Sequence, residues 1–211
     1  MNCPLCDYSN SPSLYHQDNR RRYHQCLRCQ LVFVDPLYLP ASNVEKAEYE
    51  LHQNSSHDEG YVRFLDKLLS PLSLYFEPNM DVLDFGCGPG PVLGELMAKK
   101  GMNVKLYDPF FAHYPENLDQ RYDIITCTEA IEHFHTPSIE WQCWLNILKP
   151  KGILGIMTKR VIDKQRFATW HYKNDPTHVS FFSEATFRYL ALRDGFSVEF
   201  PTNDVVLMKK L

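Results

Sequence analysis

Residues 84–96, DFGCGPGPVLGEL, set three glycines within five positions, between the apolar run VLDF and an amphipathic segment. A buried strand, a bare turn and a helix in that order are the local plan of a parallel α/β sheet, whose ligands sit at the carboxyl ends of the strands. Gly86, Gly88 and Gly90 let the chain turn and bring backbone N–H groups close to a ligand, and Pro91 is preset for the first helical position. The dinucleotide fingerprint is not met, because Pro91 stands where its third glycine would fall. A pyrophosphate is therefore a poor fit. Asp108, twenty residues after Gly88 at the end of the next apolar run, stands where an acid hydrogen-bonds ribose hydroxyls. A nucleoside without a pyrophosphate suits both facts.

The remainder of residues 81–211 continues the alternation of strand and helix. NVKLYD, YDIITCT and ILGIMT read as further strands, and PVLGELMAKKG, WQCWLNILKPKG and EATFRYLALRDG as helices. The tail SVEFPTNDVVLMKK divides at Asn203-Asp204 into two strands of a hairpin. The expected fold is α/β: a Rossmann-like, mostly parallel sheet covered on both faces and finished by an antiparallel hairpin. Residues 36–60 read as a linker with a short helical piece at Val44–Leu51. Tyr61, Phe64, Leu65, Leu68, Leu69 and Leu72 then follow helical spacing, with Asp58 placed to cap that helix and Pro71 to bend or end it. Residues 36–80 thus form a linker and cap helix.

Residues 1–35 obey another rule. Cys3-Pro-Leu-Cys6 and Cys26-Leu-Arg-Cys29 are two C-x2-C pairs nineteen residues apart, the knuckle spacing of a structural zinc ribbon. Four thiolates complete the tetrahedron and leave no open position, so the Zn2+ is expected to be structural. His24 is a spare ligand or, more simply, a surface histidine. LVFVDP reads as the ribbon's last strand. The main domain is expected to keep a core separate from the ribbon and to survive chelation.

Net charge and length narrow the function classes. At 211 residues the chain has room for one sizeable core and a small appendage. A formal charge of −4 argues against a nucleic-acid partner, and the ribbon's +1 falls to −1 once four thiolates and Zn2+ are included. The triple arginine at residues 20–22 remains a local basic feature. No apolar run is long enough to span a bilayer, and MNCPLCDYSN has neither the basic start nor the apolar stretch of a secretory signal, so a cytoplasmic location without membrane partner is expected. Nothing in the sequence specifies an oligomeric state.

In order and spacing, VLDFGCGPG, the acid in LYDP, YDIITCTEAIEHF and LKPKGILGIMT resemble the class I S-adenosylmethionine-dependent methyltransferases, over residues 81–211. The ribbon with CQLVFVDP is similar to the cysteine-rich start of one bacterial branch of that superfamily. YELHQN, LYDPFF, EHFH and DPTHVSFFS are similar to an uncharacterised group within it. The resemblance implies S-adenosylmethionine as cofactor, with Gly86, Gly88 and Gly90 around its methionyl part and Asp84 beside them. It also implies Asp108 on the ribose, and Thr128 and Glu129 along the cleft. One departure stands out: only fourteen residues separate Asp108 from Asp123, where the family fits a further strand and helix whose acid holds adenine. Phe110 or Phe111 could stack on the adenine instead.

Methyl transfer is an in-line displacement at an activated sulfonium, so alignment supplies much of the rate, and a base helps when the acceptor is a hydroxyl or a carbon. His178, in DPTHVSFFS, and His133, in EAIEHF, are the candidate bases; for each the alternative, and commoner, role is that of a hydrogen-bonded structural histidine. Phe181 or Phe182 would anchor the His178 loop. Glu132 reads as a solvated helix residue, His135, His171 and Tyr172 as polar loop positions, and Cys127 and Cys143 as small core residues. The expected activity is methylation of a small molecule at oxygen or carbon, with ribbon and linker helping to form a substrate lid. The alternatives are an RNA base methyltransferase that holds RNA through the ribbon, and a non-catalytic S-adenosylmethionine-binding module.

Overall fold

The computed structural model describes residues 1–51 and 55–211; the HQN of YELHQN lies outside them. Each C-x2-C pair forms a tight turn whose next residue, Asp7 (φ 53°) or Gln30 (φ 62°), is left-handed and donates its N–H to the carbonyl of the first cysteine at 3.0 Å. These two turns flank a sheet of β1 (Ser13–Gln17), β2 (Arg22–Gln25) and β3 (Val32–Val34). Asp35 caps a single 3-10 turn, and α1 (Ser42–Tyr49) follows. Asp58 accepts from the N–H groups of Gly60 and Tyr61 and starts α2 (Glu59–Leu72), with Pro71 inside its last turn. That helix buries Leu65, Leu68, Leu69 and Leu72, each contributing about 1.5–3 kcal/mol to its attachment.

The chain then runs through β4 (Asp81–Phe85), α3 (Val92–Lys99), β5 (Asn103–Tyr107), β6 (Tyr122–Thr128), α4 (Pro137–Ile147), β7 (Leu148–Met157), α5 (Lys164–Thr169), β8 (Ser180–Phe181), α6 (Glu184–Asp194), β9 (Phe196–Glu199) and β10 (Val205–Lys210). Six strands form the main sheet in the order β5-β4-β6-β7-β10-β9. The first four are parallel and the last two are the expected hairpin. Period-two alternation sends Val82, Val205 and Leu207 to the face covered by α2 and α3. Leu83, Val206 and Met208 go to the face covered by α4 and α6. Between β5 and β6 the described chain holds only a 3-10 turn, Pro115–Asp119, so β5 ends the sheet and the family's further strand has no counterpart.

Three expectations are corrected. The segment read as WQCWLNILKPKG helix is α4 only to Ile147; Leu148 already pairs with Tyr122 in the sheet. The ribbon has no core of its own: Cys3, Leu5, Cys26, Cys29, Leu31 and Phe33 pack in one cluster with Leu83, Trp144 and Phe182. β8 completes the ribbon sheet by pairing antiparallel with β3, Val32 opposite Phe181. Finally, Glu132 is fully buried in a 3-10 turn, Ile131–His133, and is no solvated helix residue.

Candidate active site

A cavity of about 760 Å³ opens at the carboxyl ends of β4, β5 and β6. The glycine loop forms its floor. Gly86 (φ 72°) donates its N–H to Tyr107 O at 2.8 Å, and a Cβ there would lie 2.6 Å from that of Ala130. Gly88 (φ 65°) has nothing within 4 Å of its Cβ direction, so a ligand can approach its backbone. Gly86 and Gly88 line the cavity. Gly90 does not, and serves the entry into α3. Asp84 lies below the floor: it is buried and takes the Thr126 hydroxyl at 2.8 Å and the Gly94 N–H. Burial raises its carboxyl to about 6.

Asp108 lies between the glycine loop and the aromatic loop that follows. Its Oδ2 accepts from Gly88 N at 3.0 Å, and its Oδ1 from Phe110 N at 2.8 Å and Phe111 N at 3.1 Å. A carboxylate has about four acceptor sites, so one remains on Oδ2 for a ligand hydroxyl. Around Tyr107, at the same end, stand Leu118, Cys143 and Glu140, whose Oε2 is buried without a partner. Cys143 is half-buried, packing against the core while it also lines the cavity wall.

The opposite wall comes from the end of β6. Thr128 Oγ1, Glu129 Oε1 and Glu132 Oε2 are buried atoms with no hydrogen-bond partner, and all three residues line the cavity. Glu129 holds a left-handed backbone (φ 48°), a strain concentrated at functional sites. Burial and then the Glu132 carboxylate push its carboxyl up to about 9, against a smaller pull from Lys159. Glu132 Oε1 accepts the hydroxyl of Tyr172, which is a buried residue and not a polar loop position.

His133 and His178 meet here, with ring centroids 4.7 Å apart. His178 is 8% exposed and lines the same cavity as the glycine loop. Its Nδ1 lies 2.7 Å from Tyr172 O, and that of His133 lies 3.1 Å from Thr177 O. Carbonyls only accept, so both imidazoles carry the proton on Nδ1 and leave Nε2 with a lone pair. Burial holds both below the ordinary histidine pKa, the Asp175 carboxylate opposing it at His178 and the Glu132 carboxylate at His133. One donor atom from each of Glu132, His133 and His178 falls within 4.8 Å of the others, close enough for one hydroxyl or one cation to touch all three. Phe181 and Phe182 are fully buried anchors of this loop.

The remaining wall comes from α1 and α2, and among the described residues none of the ribbon lines the cavity. Tyr49 and Glu45, which sequence reasoning passed over, line the cavity with Tyr61 and Phe64. Tyr49 meets the His133 ring edge-on at 5.0 Å, and Glu45 pairs with His135 at 2.9 Å. Tyr49 opens the YELHQN stretch that carries part of the resemblance, whereas Glu45 was only an acid on a short helix beside a linker.

The four cysteine sulfurs lie within 4.8 Å of one another, with Cys3–Cys29 at 3.5 Å and Cys6–Cys26 at 3.6 Å. A tetrahedron with Zn–S bonds of about 2.3 Å has edges of about 3.8 Å. Cys26 Sγ also accepts the N–H groups of Arg28 and Cys29, the usual support of a metal-bound thiolate. The residues fit a structural zinc ion. His24 is no ligand; its Nε2 lies 3.1 Å from Asp35 Oδ2.

A glycine loop, a buried acid and aromatic side chains around one cavity at the carboxyl ends of a parallel sheet define an α/β protein with its site where such sheets bind ligands. Residues 55–199 match the family model described as a methyltransferase domain. The chain belongs to that methyltransferase family. It shares its fold with magnesium protoporphyrin IX methyltransferase from Synechocystis PCC 6803, solved with S-adenosylmethionine, at a TM-score of 0.53 and 14% identity over 82% of this chain and 94% of that one. Two curated relatives are ubiquinone biosynthesis O-methyltransferases. The one from Pasteurella multocida is 30% identical over 36% of this chain and 45% of its own length. The one from Shewanella pealeana is 32% identical over 36% and 42%. The chain spans about half the length of the curated relatives it matches. Among the described residues no helix is long and apolar enough to cross a membrane.

Proposed function

We propose that the protein transfers a methyl group from S-adenosylmethionine to a hydroxyl oxygen, or an activated carbon, of a small molecule. The observation that carries this reading is that one cavity brings together the bare Gly88 backbone, the spare acceptor of Asp108 and two histidines that each donate Nδ1–H to a carbonyl and keep a lone pair on Nε2, that of His178 lying 3.7 Å from Asp175 Oδ2. The cofactor supplies an activated methyl on a sulfonium. Gly86 and Gly88 would hold its methionyl part, Asp108 would accept from a ribose hydroxyl, and Thr128 and Glu129 would offer their unpartnered oxygens to its polar groups. Without the further strand, Glu140 would offer its unpartnered oxygen to the adenine beside Tyr107 and Leu118, and Phe110 or Phe111 would give a stacking surface. When the acceptor hydroxyl attacks, its proton would pass to His178 Nε2, with His133 beside it. The products are a methyl ether and S-adenosylhomocysteine. The names of the ubiquinone biosynthesis relatives support oxygen methylation of a small molecule.

The ribbon arginines speak against RNA as the substrate. Arg21 is buried, so one cation of the triple arginine is committed inside the chain; Arg20, at the surface, donates to Asn174 O at 3.2 Å, and Arg28 stacks over Tyr8. The test has two parts. Calorimetry should show S-adenosylmethionine binding, and labelled-methyl transfer to a panel of phenols and carbon acids should identify an acceptor. His178→Asn should then lower turnover by roughly 10²–10⁴-fold with cofactor affinity unchanged. Normal turnover in a folded His178→Asn protein would remove His178 from the chemistry, and absence of cofactor binding would remove the whole reading.

A further inference from the structure

We propose that Arg21, in the ribbon, is a positioning residue that sets the tautomer of both cleft histidines by holding the loop between them and the ribbon. The proposal rests on the reading of the histidines as cleft bases, and it starts from the guanidinium itself. Arg21 is 8% exposed, yet no carboxylate is among the hydrogen-bond partners of its guanidinium. Its Nη1 donates to Pro176 O and His178 O, both at 3.0 Å. Nη2 donates to Lys173 O and to Asp175 O at 2.8 Å, and Nε to the Tyr23 hydroxyl at 3.3 Å. All five donors of the fork are used, four of them on one loop.

The loop's own accounting is the second observation. Arg21 takes the carbonyls of residues 173, 175, 176 and 178, and Arg20 takes that of Asn174. Two remain in the run 172–178: Tyr172 O, which receives His178 Nδ1–H, and Thr177 O, which receives His133 Nδ1–H. Five carbonyls turned toward the ribbon thus leave two turned toward the cleft, and those two decide where each imidazole keeps its proton. Lys173 adds a second tie, its ammonium 2.7 Å from Asp18 in the same ribbon turn whose carboxylate caps the N–H groups of Arg20 and Arg21. Without the fork, the loop carbonyls would seek other donors and the two histidine bonds would lose their register. A released imidazole takes the Nε2–H tautomer that the free side chain prefers, in which Nε2 cannot accept a proton. The ribbon thereby acts on the cleft without touching a substrate.

The readout is nitrogen NMR of histidine-labelled protein at pH 7.5, with His133 and His178 assigned through their asparagine variants. Wild type should show a protonated Nδ1 and a bare Nε2 at both positions. Arg21→Lys keeps the buried charge but has three donors and no fork, and Arg21→Met removes the donors; in either, both histidines should lose the fixed Nδ1–H signature while the other histidine signals stay in place. Guanidinium at millimolar concentration should restore it in Arg21→Ala, whose truncated side chain leaves room for the ion. Unchanged tautomers in a folded variant would overturn the proposal. If neither variant folds, the wild-type guanidinium decides: resolved, slowly exchanging Nη protons are expected, and a single averaged signal would overturn it. These outcomes are independent of turnover, so a failed base role for His178 and a failed role for Arg21 give different results.

Discussion

Glu129 offers the sharpest test of the cofactor site, because its protonation should follow binding. In the free protein its carboxyl is pushed up to about 9, first by burial and then by Glu132 and, more weakly, Asp204, while Lys159 and Lys67 pull the other way. At pH 7 that leaves about 1% of it ionised, since each unit is a factor of ten. S-adenosylmethionine brings a sulfonium and an ammonium, and a cation beside a carboxyl favours its ionised form. If binding brings the carboxyl below 7, about one proton leaves per cofactor bound, and ionisation costs about 2.7 kcal/mol of affinity at pH 7. The dissociation constant should then tighten nearly tenfold from pH 7 to 8 and less steeply toward 9, roughly 50-fold over the whole interval. Calorimetry at pH 7 in phosphate and in Tris measures the proton directly through the buffers' different ionisation heats. The free protein should also lose stability as pH rises from 4.5 to 9, because in that window the unfolded chain has released a proton that the folded one keeps. Glu129→Gln should abolish both effects. Buffer-independent heats in the wild type would refute the reasoning.

Chelating the zinc should lower the melting temperature of the whole chain in one transition, because four ribbon cysteines and Phe33 share a cluster with Trp144 and Phe182 or pack directly against it; an unchanged main transition in scanning calorimetry would oppose this. Asp108→Ala should weaken S-adenosylmethionine by roughly 10- to 150-fold in titration calorimetry, through lost charge-assisted hydrogen bonds to ribose and to the Gly88 loop. Gly86→Ala should cost about 1–3 kcal/mol in denaturant unfolding from its left-handed backbone alone, and more from the 2.6 Å approach to Ala130. Because burial holds His178 below 6.5, turnover should be flat from pH 6.5 to 8 and fall on acidification as Nε2 takes a proton. A rate that rises through pH 7 would point to another base.

Local patterns were enough for much of this protein. The glycines at 86 and 88, the acid at 108, the two C-x2-C pairs and the alternation of VLDF, NVKLYD and YDIITCT are each set by neighbours close in the chain, through turn geometry and side-chain periodicity, and they announced both the sheet and the ribbon. The shortness of the stretch between Asp108 and Asp123 likewise announced the missing strand. What stayed hidden depends on groups far apart in sequence. Glu132 reads as a surface acid until Tyr172, forty residues on, is seen closing over it. Arg21 reads as one of three basic surface residues until a loop more than 150 positions away turns its carbonyls onto it. The ribbon reads as an appendage until β8 joins its sheet. Burial and hydrogen-bond partnership are properties of the packed chain, and no local window carries them.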